Sequence, residues 1–128
     1  MQITPTPDTE PYWTGLREGR LLLQRCASCG VVRHYPRPVC STCFSTDVTW
    51  IEASGRGTVH SWTETHHAFL PELREAVPYV LVTATLDEGV RLLAPLRGPP
   101  SELRIGASLR CQFEPHGEWT IPVLVLDP

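Results

Sequence analysis

Four cysteines in two short pairs constrain this chain more than any other feature. They read Cys26-Ala27-Ser28-Cys29 and Cys40-Ser41-Thr42-Cys43, with ten residues between the pairs. A Cys-x-x-Cys turn points two thiolates at one ion, and two such turns supply the four sulfurs of a closed tetrahedral zinc site. The gap is a little shorter than the commonest two-knuckle spacing, yet long enough for a hairpin to bring the turns together. Gly30 follows the first pair, where the turn needs free backbone, and Pro36 and Pro38 stiffen the approach to Cys40. Two disulfides satisfy the same count but belong mostly to secreted chains. A single pair would read as a redox motif, and a rubredoxin-type iron site uses the same ligands. Two pairs within 18 residues favour zinc, held by Cys26, Cys29, Cys40 and Cys43. Four thiolates leave no open position for water, so the metal is expected to be structural and to contribute folding energy. The fifth cysteine, Cys111, sits in an apolar alternating stretch and reads as a small core residue.

At 128 residues the chain is one domain or two small ones. The start, Met1-Gln2-Ile3-Thr4-Pro5, has neither the basic residues nor the apolar run of a signal peptide. No apolar run approaches the roughly 20 residues that cross a membrane. A cytoplasmic protein with reduced thiols is the expectation. All eleven basic residues are arginine, the better planar partner for phosphate and carboxylate. Residues 1–47 sum to +1 and residues 48–128 to −4, for a net charge of −3. With a pI of about 5.9, the chain lacks the basic balance of a nucleic-acid binder.

Residues 1–7 carry two prolines and no pattern, which suits an extended arm. A helix is predicted from Thr9 to Glu18, with Asp8 or Thr9 as its cap, Pro11 in its first turn and Gly19 at its end. Arg20–Arg25 reads as a strand into the first knuckle and Val31–Tyr35 as its return. Val48–Ala53 alternates and forms a bridge. From Gly55 onward, strands separated by turns take over: Thr58–His67, Tyr79–Leu86, Val90–Leu96, Ala107–Glu114 and Ile121–Leu126. In the first of these, Val59 and Ser61 are expected on one face and His60, Trp62 and Glu64 on the other. Five strands with a helical turn near 101–104, between the third and fourth, match an OB-type barrel. The predicted fold is therefore mainly β. An N-terminal arm and helix (1–19) leads to a four-cysteine zinc ribbon (20–47) and a C-terminal five-stranded OB-fold barrel (48–128).

Several runs together resemble a known family. They are Leu16-Arg17-Glu18-Gly19-Arg20-Leu21-Leu22-Leu23-Gln24-Arg25-Cys26, Pro36-Arg37-Pro38-Val39-Cys40, Ser54-Gly55-Arg56-Gly57-Thr58-Val59, Pro78-Tyr79-Val80 and Leu86-Asp87-Glu88-Gly89-Val90. The chain resembles the acyl-CoA-associated OB-fold family, which joins an N-terminal helical part and a rubredoxin-like zinc ribbon to an OB fold. The resemblance covers about Tyr12 to Val125. It implies a non-catalytic subunit that supports a thiolase-like enzyme, a lipid-transfer-type aldolase or an enoyl-CoA hydratase. It also implies that such a subunit helps hold or pass an acyl-CoA, in a setting such as lipid or steroid side-chain breakdown. Nothing in the residues selects the acyl chain.

The candidate site residues follow from that implication. Coenzyme A carries phosphates and an adenine, so its contacts would be arginines and apolar or aromatic surface. Arg33, Arg37 and Arg56 are the arginine candidates, with Trp62 and Phe69 beside them. Tyr12, Trp13 and Leu16 make one apolar helix face, which packs either on the body or on a partner. Catalytic constellations are thin. Glu64 and His66 could couple on one strand face, with His60 nearby, but the chain has no GxSxG, HExxH or phosphate loop. A single-stranded nucleic-acid binder and a free-standing acyl-CoA enzyme are the competing classes.

Overall fold

Pro11 stands in the first turn of α1 (Glu10–Arg17), where its missing N–H leaves no helical bond unmade. Thr9 holds the N-cap position without capping: its hydroxyl accepts the Thr6 amide at 2.8 Å instead. Gly19, at φ +75°, ends the helix. Tyr12, Gly15 and Leu16 turn inward. A Cβ on Gly15 would lie 2.9 Å from the Leu22 side chain, so glycine is what lets the helix approach the first strand. The structure is a computed structural model and describes residues 3–68, 71 and 74–127.

Two antiparallel sheets follow. The first is built from β1 (Leu22–Cys26), β2 (Val32–Arg33) and β3 (Val48–Glu52), in the order β2-β1-β3. The alternating stretch read as a bridge is thus a strand of this sheet, paired from Leu22↔Glu52 to Cys26↔Val48. The second sheet holds β4 (Arg56–Thr65), β5 (Tyr79–Leu86), β6 (Arg91–Pro95), β7 (Ser108–His116) and β8 (Trp119–Leu126), in the order β6-β5-β4-β7-β8. A parallel bridge, Leu96↔Leu124, joins its two edges, and the Arg97 amide donates to the Leu124 carbonyl at 2.9 Å. A 3-10 turn, Pro100–Glu102, lies between β6 and β7. The five-strand order, the edge-to-edge bridge and the helical turn between the third and fourth strands are those expected of the OB barrel. Among the described residues no helix is long and apolar enough to cross a membrane.

One buried cluster spans helix and both sheets: Leu16, Leu21 and Leu23 belong to it together with Val59, Val82, Leu109 and Leu124. The structure corrects the expected facing of β4. Its register against β5 shifts between Val59 and Ser61, so His60 is the extra residue of a bulge. Val59 opposes Ala84 and Trp62 opposes Val82. Directly paired residues share a face, so Trp62 lies on the side of Val59 and not opposite it.

Candidate functional site

The two cysteine turns are built alike. In the first, the Gly30 amide donates to the Cys26 carbonyl and the Cys26 amide to Val31, both at 2.9 Å. In the second, Phe44 donates to Cys40 and Cys40 to Ser45, again at 2.9 Å. β1 carries Cys26 into place, and the prolyl segment after β2 delivers Cys40. All four Sγ atoms lie within 4.8 Å of one another. Cys26 and Cys43 are 3.5 Å apart and Cys29 and Cys40 3.6 Å. Four thiolates around one tetrahedral zinc stand about 3.8 Å apart, given a Zn–S bond of roughly 2.3 Å. No disulfide links them. The cluster therefore fits a structural zinc, as expected from the sequence. Backbone N–H groups of Cys43 and then Thr42 draw Cys40 down to about 6, and that of Cys29 lowers Cys26. The Ser45 amide acts the same way on Cys43, but the Cys26 sulfur and burial outweigh it and push Cys43 up to about 12. The Cys29 amide reaches the Cys26 sulfur at 3.4 Å. Cys111, by contrast, is half-buried against the core, and burial pushes its thiol up to about 11.

The other candidates fall in separate places. Arg33 is buried and faces inward. Its Nε donates to Gln24 Oε1, and its Nη2 donates to the Arg37 carbonyl at 3.0 Å. Gln24 Oε1 also accepts the Arg37 amide at 2.8 Å. Arg33 thus ties the loop after β2 to β1 rather than meeting solvent. Gln24 was missed from the sequence, although a lone polar residue closing a run of three leucines was its signal. Arg37 is exposed. Arg56, on β4, is exposed and lies 3.8 Å from Asp127, which Arg110 also approaches at 3.3 Å. Trp62 is six residues farther along the same strand, about 20 Å away at the rise of an extended chain. Arg33 and Arg37 are therefore brought together, whereas Arg56 and Trp62 are not. Phe69 lies outside the described residues. Glu64 and His66 do meet, at 3.4 Å, on open surface.

Of the helix trio, Tyr12 and Leu16 are core residues of this chain, at 3% and 0% exposure, because Gly15 draws that face onto β1. Of the two packings left open for this face, Tyr12 and Leu16 take the body, and of the three only Trp13 keeps accessible surface. Its indole N–H donates to the Tyr35 hydroxyl at 3.0 Å, and its ring stands edge-on to Trp119. Arg17 lies 4.0 Å above the Trp119 ring.

Comparison with known proteins agrees with this architecture. Residues 13–49 match the family described as ChsH2, rubredoxin-like zinc ribbon domain, and residues 50–114 match ChsH2, C-terminal OB-fold domain. The chain belongs to the ChsH2 family. Two relatives are a probable enoyl-CoA hydratase alpha subunit of Thermomonospora curvata, 36% identical over 91% of this chain, and the 3-oxo-4,17-pregnadiene-20-carboxyl-CoA hydratase alpha subunit of Mycobacterium tuberculosis, 34% identical over 94%. The chain spans only 36% and 38% of those two proteins' lengths. A solved structure described as an Ltp2-ChsH2(DUF35) aldolase superposes with a TM-score of 0.86 and 34% identity over 98% of each chain. A DUF35 protein of unknown function from Sulfolobus solfataricus shares the fold, with a TM-score of 0.64 at 18% identity over 94% of this chain and 86% of that one.

Proposed function

We propose that this chain is a non-catalytic subunit. It pairs with a thiolase-like or lipid-transfer-type aldolase protein, or with an enoyl-CoA hydratase, and helps hold the partner's acyl-CoA. The observation that carries this reading is the likeness, over 98% of both chains, to a component of the Ltp2-ChsH2(DUF35) aldolase. The two hydratase alpha subunits support it. The chemistry of the chain agrees: the cysteine cluster is a closed ligand set, and the Glu64–His66 pair is open to water. Arg37, Arg56 and Trp62 are the exposed groups proposed for coenzyme A, and Trp13 with Tyr35 the proposed edge of the partner contact. Breakdown of lipid or steroid side chains is the proposed setting.

The test is co-expression with a thiolase-fold or hydratase protein from the same genome, with the tag on one chain only. The expected result is co-purification in fixed ratio, with one zinc per copy of this chain and acyl-CoA turnover by the pair alone. Turnover by the isolated chain, or failure to pair with any such enzyme, counts against the proposal.

A further inference from the structure

The two metal knuckles repeat each other's backbone and differ at one telling position. Gly30 follows the first pair and Phe44 the second, each donating its amide to the first cysteine of its turn. Both backbones are left-handed, with φ +80° at Gly30 and +64° at Phe44. Glycine adopts that conformation freely, whereas a residue with a Cβ is strained there. Among the described residues Phe44 is the one non-glycine with positive φ. Burial of the ring could offset the strain, yet Phe44 is 77% exposed. The tip of the ribbon thus presents a strained backbone and an uncovered aromatic ring, and packing within the chain compensates neither.

The surroundings indicate what covers the ring. Residues 26–32 and 38–46 contain no Asp, Glu, Lys or Arg, in a chain where 20% of residues are charged. Val31 and Val39 flank the two turns at 40% and 42% exposure. An aromatic among uncharged small and apolar residues has the composition of an interface core. Arg25 borders the first turn, its Nε donating to the Gly30 carbonyl at 3.3 Å; nucleic acid or an anionic membrane would call for a cluster of basic residues at this place. We infer that Phe44 anchors the ribbon tip in an uncharged apolar pocket of the enzyme subunit with which the chain assembles. This rests on the accessory-subunit reading above.

The decisive variant is Phe44→Gly, which installs the residue the first knuckle already uses. In the isolated zinc-loaded chain it relieves strain, so the thermal midpoint holds or rises. Against the recombinant thiolase-fold or hydratase subunit that co-purifies with the wild type, the dissociation constant should rise about 30-fold or more, as for a central interface residue. Binding within about twofold of wild type overturns the inference, as does a fall in midpoint that tracks the loss of binding. A wild-type dimer that Phe44→Gly splits while enzyme binding stays intact assigns the ring to a second copy, and also overturns it. If the wild type pairs with no enzyme subunit, the accessory reading itself fails before any variant is made, and this inference falls with it.

Discussion

His34 lies between two tyrosines, its ring 5.3 Å from that of Tyr12 and 5.6 Å from that of Tyr35. Its Nδ1 is buried without a hydrogen-bond partner. Burial pushes the imidazole down to about 4 from an ordinary 6.5. The folded chain therefore binds fewer protons than the unfolded one, and the stability this brings is full above pH 6.5 and fades as pH falls toward 4. Between pH 7.5 and pH 5 the loss is on the order of 2 kcal/mol. His34→Phe keeps an apolar ring and removes the proton site. Denaturant melts at both pH values, with zinc content checked, should show a smaller acid loss for the variant by about that amount; equal losses would refute the assignment. Cys26→Ser has a different signature. It removes one of four thiolates, so the variant should lose zinc and the ribbon's structure rather than any chemistry. A soluble, folded, zinc-free Cys26→Ser chain that still pairs with its enzyme would contradict the bracing role. These two sites differ in how far the sequence announced them. Each cysteine pair is a local turn, and its spacing is visible without a fold. The inward course of Arg33 and the desolvation of His34 arise only when the helix, β1 and the loop after β2 close on one another.

Gly57 shows how one element depends on a missing side chain. It is buried in β4, opposite Leu86 of β5 and Leu109 of β7. A Cβ there would overlap the Thr85 carbonyl oxygen and lie 3.0 Å from the Leu86 Cα. Backbone, unlike a side-chain tip, cannot move aside cheaply. Gly57→Ala should therefore cost about 3 kcal/mol or more, by forcing the strands apart. Chemical denaturation measures it, and a cost below about 1 kcal/mol would mean the strands yield easily. Arg97 provides the contrast. It grips Glu114 with two hydrogen bonds of 2.8 and 2.7 Å and fastens the end of β6 to β7, yet both side chains are more than a third exposed. Solvent screening limits such a pair, so Arg97→Ala should cost less than about 1 kcal/mol, and less still in high salt. The strands themselves were legible because each is a β-branched or alternating run between turn residues, and Tyr79–Leu86 has the bounds expected of it. The bulge at His60 was not legible. Nothing local marks it, since it arises from the pairing of β4 with β5, and it alone reversed the expected side of Trp62.

At the scale of the molecule, the ribbon and the barrel share one core. Leu16, Leu21 and Leu23 from the N-terminal part belong to the same buried cluster as Val82, Leu109 and Leu124 from the barrel. On the surface the same seam is fastened by Arg17, which donates to the Glu118 carbonyl at 2.7 Å and lies over Trp119. A shared core makes unfolding cooperative, because exposing one half strips apolar cover from the other. Zinc bound at a four-cysteine site supplies roughly 10 kcal/mol or more, comparable to the whole stability of an ordinary domain. Chelation should therefore weaken the barrel as well as the ribbon. The check is amide hydrogen exchange before and after zinc removal, read at Val82 in β5 and Leu109 in β7, both far in sequence from the cysteines. The expected outcome is loss of protection at both, together with the ribbon amides. If Val82 and Leu109 stay protected while the ribbon exchanges freely, the two parts are separate folding units. The buried leucines would then be a contact surface between them and not a common core.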